Sequence, residues 1–230
     1  MAKDKKNSQA DNLTEVESAL TRSEQFLEAN QKLIGIIIGT IVVVTVGYLG
    51  MNKFYLEPRS TEAQEQMFMA QNYFEKDSFN LALNGDGNNP GFLDIIDDFG
   101  STDAGNLAKY YAGVSYLQLG QFDNALDYLK KFSTDDLLLG PVSVGAQGDA
   151  QLELGKTDKA ISLYTEAYKM NDNDLTTPLY MLKAGELLES SNKAADALKL
   201  YETIKQKFPE SNEGRNIDKY IARAKAKMNG

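Results

Sequence analysis

The sequence predicts an all-α chain: an N-terminal single-pass transmembrane helix, then an α-solenoid of helical hairpins, closed by a C-terminal capping helix. Three observations predict it. Residues 33–51 read LIGIIIGTIVVVTVGYLGM without a charge, between Lys32 and Lys53. The stretch Leu117–Leu126 (LQLGQFDNAL) returns 35 residues later as Leu152–Ile161 (LELGKTDKAI), with a shared Leu-x-Leu-Gly-x-x-Asp-x-Ala. A fixed offset of this size marks one supersecondary unit copied along the chain, and such units stack because none buries its apolar face alone. Near the end, Ile217, Tyr220, Ile221 and Ala224 form an apolar stripe opposite Lys219, Arg223, Lys225 and Lys227. That is the pattern of a helix that covers the last hairpin and turns its other face to water.

Composition narrows the chemistry. The chain of 230 residues is 42% hydrophobic, enough for one ordinary domain and an appendage. It has no Cys and no His, which removes thiolate nucleophiles, disulfides, imidazole bases and the commonest transition-metal ligands. The chain is therefore read as a non-enzyme with no catalytic residue, no metal site and no cofactor, and no motif in it points to a small-molecule substrate. Residues 1–59 hold seven basic and seven acidic side chains, so the whole net charge of −9 belongs to residues 60–230. An acidic domain repels phosphate backbones, and no nucleic-acid partner is expected. The basic residues of the terminal stripe read as a solvated helix face.

The elements follow in order. In residues 1–32, Leu13, Val16, Leu20 and Leu27 make one narrow apolar stripe on a helix, suited to a membrane surface or a partner, behind a polar first dozen residues of disordered composition. Residues 33–51 form the anchor. At about 1.5 Å per residue they span the hydrocarbon core of a bilayer. A cleaved signal has a shorter apolar run, a brief leader and a small-x-small site, and Gly50-Met51-Asn52-Lys53-Phe54 offers none. Flanking charges do not orient the helix: Arg22 and Lys32 stand against Lys53 and Arg59, with only Lys3, Lys5 and Lys6 tilting the balance toward a cytoplasmic N-terminus. Gly35 and Gly39 form a GxxxG that would let a second membrane helix approach, although Gly is common in such helices.

Residues 101–212 hold three repeats. With Ala125, Ala160 and Ala197 aligned, Gly113, Gly148 and Gly185 stand twelve positions earlier, and Gly120, Gly155 and Asn192 five positions earlier. The first column lets two helices cross closely, and the second takes the left-handed conformation that ends the first helix. Leu129, Tyr164 and Tyr201, four residues after each Ala, are expected to fill the space between repeats. Residues 60–100 hold a degenerate earlier unit, with Ala70, Asp77, Phe79 and Ala82 in the equivalent places, and a loop NGDGNNPG at 84–91; residues 213–230 are the capping helix. Thr177-Pro178 reads as the cap and first turn of a helix. The start of that loop has the Asn84-x-Asp86-x-Asn88 spacing of a calcium loop but lacks the Gly at the sixth position and the Glu at the twelfth, where Asn89 and Ile95 stand. Asp94, Asp97 and Asp98, Asp135 with Asp136, and Asp172 with Asp174 are read as turn and capping residues rather than paired catalytic carboxylates.

With periods of 35 and 37, these repeats resemble the tetratricopeptide repeat family, a helix–turn–helix unit of about 34 residues. The family's early Trp is replaced by Lys109, Val144 and Met181, and its Pro near the end of the unit appears once, at Pro209. In that family the first helix of each unit lines a concave wall that grips a partner. The resemblance implies a wall of Leu107, Tyr110, Val114 and Leu117, then Val142, Asp149, Leu152 and Glu153, then Leu179, Leu182, Glu186 and Glu189. Such a wall, apolar with an acidic border, suits an apolar segment flanked by Lys or Arg. Its apolar positions equally suit packing inside the superhelix, which makes Tyr110 and Glu186 the strongest contact candidates.

The whole arrangement also resembles the bacterial ancillary Sec translocon subunit family, the YfgM-like proteins. The likeness rests on Glu24-Gln25-Phe26-Leu27-Glu28-Ala29-Asn30-Gln31-Lys32 before the anchor and Gly100-Ser101-Thr102-Asp103-Ala104-Gly105-Asn106-Leu107-Ala108 before the first good repeat. It implies a bacterial inner-membrane protein with a cytoplasmic N-terminus and a periplasmic repeat domain. Its partners would be translocon subunits and periplasmic chaperones or client segments. A structural or assembly scaffold of another cell-envelope complex is the alternative, and a carboxylate enzyme is a remote third.

Overall fold

The computed structural model describes residues 29–229, and every regular element among them is helical. The stripe Leu13, Val16, Leu20 and Leu27 lies outside the described residues. The chain divides after Leu56 into two compact units.

In the first unit, α1 (Gln31–Met51) has no buried residue. Its Ile and Val side chains are poor helix formers in water. A hydrocarbon surrounding would impose the helix instead, since every backbone N–H and C=O would have to be bonded within the segment. The hydroxyls obey the same rule: Thr40 and Thr45 donate to the Ile36 and Ile41 carbonyls, each at 2.8 Å. By length and composition α1 is long and apolar enough to cross a membrane. A π-helical turn, Asn52–Leu56, follows it.

The second unit opens with α2 (Glu57–Glu75) and α3 (Phe79–Asn84). The turn between them is held by Asp77 at φ +56°, and Ala70 and Ala82 are fully buried. The weak sequence match thus conceals a complete helix–turn–helix start, with Asp in the left-handed place that Gly takes elsewhere. The following loop is tied by Asp86, which accepts from the Asn88 and Asn89 amides at 2.8 and 2.7 Å and from the Tyr73 hydroxyl at 2.7 Å. Those bonds, Tyr73's first, hold the Asp86 carboxyl well below the usual carboxylate range. Next comes α4 (Phe92–Phe99), with Phe92, Ile95 and Phe99 inward. Asp97 and Asp98 ride on its exposed face, not in a turn. Only Asp94 of that trio caps, accepting from the Gly91 amide at 3.0 Å.

Three hairpins then repeat one plan: α5 (Asp103–Gln118) with α6 (Phe122–Leu129), α7 (Leu139–Glu153) with α8 (Thr157–Met170), and α9 (Thr176–Ser190) with α10 (Ala194–Lys207). Gly120, Gly155 and Asn192 turn them at φ +72°, +70° and +59°. The amides of Gln121, Lys156 and Lys193 then reach back to the carbonyls of Tyr116, Gln151 and Leu188 at 2.8–2.9 Å, as Ser78 reaches Tyr73 at 2.9 Å. This satisfies carbonyls that the end of a helix leaves orphaned. A Cβ on Gly113, Gly148 or Gly185 would lie only 2.6, 2.6 or 2.4 Å from Leu129, Tyr164 or Tyr201. The large side chain therefore fills a notch within its own hairpin as well as the space between repeats where sequence places it, Tyr164 stacking on Tyr180 and Tyr201 lying under Ile217 and Ile221. The reason is geometric, because only a missing Cβ lets the ring lie flat on the first helix.

The turns joining hairpins carry their own device. Thr102, Asp136, Asn173 and Ser211 each accept an amide from the start of the next helical segment, at 3.0, 2.8, 2.9 and 2.9 Å. Asn173 does this, rather than Asp172 or Asp174. It also displaces Thr177 from the capping role, and the Thr177 hydroxyl instead donates to the Asn171 carbonyl at 2.7 Å. A short 3₁₀ turn, Gly214–Asn216, leads into α11 (Ile217–Asn229), whose Ile217, Ile221 and Ala224 cover Ala197, Tyr201 and Ile204.

Candidate protein-binding surface

The first helices α5, α7 and α9 lie side by side, and the contacts between them are made by a few specific residues. Gly145 on α7 leaves room for the Tyr180 ring of α9, which a Cβ would overlap at 2.1 Å. Tyr180 stacks on Tyr164 with centroids 6.0 Å apart. Lys183 Nζ lies 5.4 Å above the Tyr164 ring and 2.7 Å from Asp149 Oδ1, which also accepts from the Tyr164 hydroxyl. Burial, then the bond to Asp149, raises the Tyr164 hydroxyl pKa; burial, then the Asp149 charge, raises that of Tyr180. Both phenols stay neutral, and Tyr164 donates to Asp149.

The residues read as a wall differ in how far they face outward. Leu107, Leu117, Leu152 and Leu182 are half-buried and each packs against one of the core clusters, while Val114 is also half-buried. Tyr110 is half-buried, its ring 5.4 Å from Phe132 and 5.6 Å from Tyr111. Glu153 and Glu186 are exposed. Asp149 is committed to Lys183 and Tyr164 but keeps 35% of its side chain exposed, as does Lys183.

Glu189 is placed differently from the sequence reading. It is 2% exposed, and its carboxylate accepts a bidentate pair from Arg223 Nε and Nη2 at 2.7 and 2.8 Å and a bond from the Tyr201 hydroxyl at 3.2 Å. Lys227 Nζ adds an ion pair at 3.2 Å. The Arg223 bonds hold its carboxyl below the ordinary Glu range against the opposing effect of burial. Glu189 is thus the socket of the capping helix rather than part of an open wall. Its cations come from the terminal stripe, so Arg223 and Lys227 are bonded inward rather than merely solvated.

Sequence reasoning missed Gly145, Tyr180 and Lys183. A signal was present: Lys183 follows Asp149 by 34 residues, as Arg223 follows Glu189, an offset near the 35- and 37-residue periods of the repeats. A cation one repeat after an acid on a first helix pairs across neighbouring helices.

Two tetratricopeptide repeat family models match the chain, one over residues 107–135 and one over 146–212. Among solved structures, the crystal structure of MamA protein superposes with TM-score 0.53 at 16% identity, covering 73% of this chain and 92% of that one. A putative kinesin light chain of Podosopora anserina with nearly identical TPR-like repeats superposes with TM-score 0.56 at 13% identity, covering 74% and 88%. At these identities the likeness is one of fold. No curated protein matches the chain in sequence. The chain carries tetratricopeptide repeats in a TPR-like solenoid, an architecture of protein–protein interaction scaffolds.

Proposed function

From a tetratricopeptide solenoid in the same chain as a helix long enough to cross a membrane, we propose a membrane-anchored scaffold whose first helices grip a partner segment. The face of α5, α7 and α9 supports this most directly. Half-buried Tyr110, Val114 and Leu117 lie on the first of these helices, and exposed Glu153 and Glu186 border the other two. Such a surface fits an apolar segment with Lys or Arg flanks. The resemblance of the whole arrangement to the ancillary Sec translocon subunits assigns the partner. On this reading the chain sits in the bacterial inner membrane, N-terminus in the cytoplasm and repeats in the periplasm. It serves the secretion channel by meeting clients or periplasmic chaperones.

The test is crosslinking in native membranes with identification of what co-purifies, run beside a Glu153→Lys/Glu186→Lys variant. Recovery of channel subunits and clients is expected, with client recovery reduced in the variant at unchanged helicity. Client crosslinks at full strength in the variant would remove the wall from the mechanism. Recovery of only an unrelated envelope assembly would replace the translocon role with the alternative scaffold.

A further inference from the structure

One edge of the second unit carries all the turns that join successive hairpins, and a run of contacts follows it. The Arg59 guanidinium, in the first turn of α2, donates to the Asp98 carbonyl near the end of α4 and lies 5.2 Å from the Phe99 ring centroid. The Thr102 hydroxyl, at the start of α5, donates to the Phe99 carbonyl at 2.8 Å. Asn106, in the first turn of α5, exchanges bonds of 2.7 and 3.3 Å with Ser133 beyond the end of α6. Asn171, beyond α8, donates to the Leu137 carbonyl before α7 at 3.2 Å. Leu175, before α9, shares a cleft with Phe208 and Pro209 beyond α10. Every first helix therefore starts along this edge, α2 included, and it is here that the chain enters the unit at Glu57.

The same edge exposes large apolar side chains: Leu137 at 65%, Leu138 at 44%, Met170 at 42% and Leu175 at 64%. Turns between helices are ordinarily polar. These residues are not scattered, because Leu138 and Leu175 hold one repeated place. Each immediately precedes a first helix, its amide fixed by Asp136 or Asn173 two residues earlier at 2.8 and 2.9 Å. Lys130, Lys131, Lys169 and Lys207 stand exposed at the ends of α6, α8 and α10, with exposed Asp135, Asp172 and Asp174 in the turns. The mixed charge matches a zwitterionic headgroup layer better than a strongly charged protein.

Only Asn52–Leu56 separates α1 from Glu57. Five residues reach at most about 18 Å even when fully extended. If α1 spans a bilayer, Glu57, where the chain enters the repeats, is held within that reach of it. A tether this short gives the lipid surface a large advantage in effective concentration over any free partner.

We propose that this edge is a second, peripheral membrane contact. Leu137, Leu138, Met170 and Leu175 enter the headgroup–acyl boundary of the bilayer crossed by α1, and the neighbouring lysines lie at phosphate level. The inference rests on reading α1 as a span, and its test separates the two. Because the chain has no Cys, Val43→Cys, Leu137→Cys, Leu175→Cys and Lys156→Cys variants of the full chain can each carry a single fluorophore. They are reconstituted into phosphatidylcholine vesicles with nitroxide lipids, the nitroxide either near the headgroup or deep in the acyl chain. The deep nitroxide should quench the label at 43. The shallow one should quench labels at 137 and 175 and spare 156, which lies in the hairpin turn after α7. Quenching at 43 with 137 and 175 as bright as 156 overturns the edge contact alone, and a bright label at 43 overturns the span and the proposal with it. Labels at 137 and 175 shielded from aqueous iodide but untouched by lipid nitroxide would mean that a second copy or another protein covers the edge, which also overturns it.

Discussion

A single missing Cβ organises each hairpin. At Gly148 the Tyr164 ring occupies the place of a side chain, with a Cβ contact of 2.6 Å, and Tyr164 itself is 1% exposed. Gly148→Leu should gain roughly 1 kcal/mol of helix propensity. It must also displace a buried ring, whose burial alone is worth about 1.5–3 kcal/mol. The net expectation is destabilisation of about 1–3 kcal/mol by overpacking, read as a lower melting temperature of the full chain in detergent. An unchanged melting temperature would show that Tyr164 is not seated there. The Ala, Gly and large-residue columns were all legible in the sequence, since each recurs at fixed spacing. That the ring also seats in the Gly notch of its own hairpin was not, because spacing alone does not show that one side chain serves both contacts.

At the scale of elements, the turns and the capping helix carry the stability arguments. Asn192 holds φ +59°, which Asn tolerates and a β-branched residue does not. Asn192→Val should cost about 1–2 kcal/mol, whereas Asn192→Gly should be neutral or slightly stabilising; denaturant midpoints of the two variants check the contrast. The docking of α11 depends on ionised Glu189, whose carboxyl is held below the ordinary Glu range chiefly by Arg223. A depressed folded-state pKa gives stability that is fully present above the unfolded value, about 4.3 for Glu, and is lost as pH falls through the folded value beneath it. Near-ultraviolet circular dichroism reads the packing of the chain's twelve tyrosines, Tyr201 and Tyr220 among them, and the difference between wild type and a Glu189 variant isolates the part that depends on this socket. Its signal should hold above about pH 4.3 and decline only below. A Glu189→Gln variant should lose that part of the decline, and a wild-type transition between pH 5 and 7 would remove Glu189 as its cause. The amphipathic α4 escaped the sequence reading because its Asp pair was given to a turn. Burial of Phe92, Ile95 and Phe99 against the fully buried Ala residues of α2 and α5 decides it as a helix.

For the whole molecule, the two units set different questions. The topology proposed above expects protease added outside spheroplasts to digest residues 57–230 and leave the N-terminal segment. Protection of the repeats, with a control periplasmic protein digested, would reverse the orientation. Glu189 also changes how the partner surface is to be probed. A Glu189→Lys substitution would set a third cation against Arg223 and Lys227 and loosen the capping helix, so lost binding in that variant would report folding. Glu153 and Glu186 are exposed and leave the solenoid intact when reversed.

The sequence by itself determined the class of fold and the register of its repeats, because both rest on local rules. Uncharged length marks a helix able to span a bilayer, a left-handed turn demands Gly, Asn or Asp, and close helix crossing demands a missing or small side chain. Each leaves a periodic trace. Which acids are free and which are consumed was decided only by the tertiary structure. Glu186 and Glu189 stand three residues apart on one helix, and nothing local distinguishes them. The difference comes from Arg223, 34 residues away, which meets Glu189 only once the last hairpin is built and α11 closes over it.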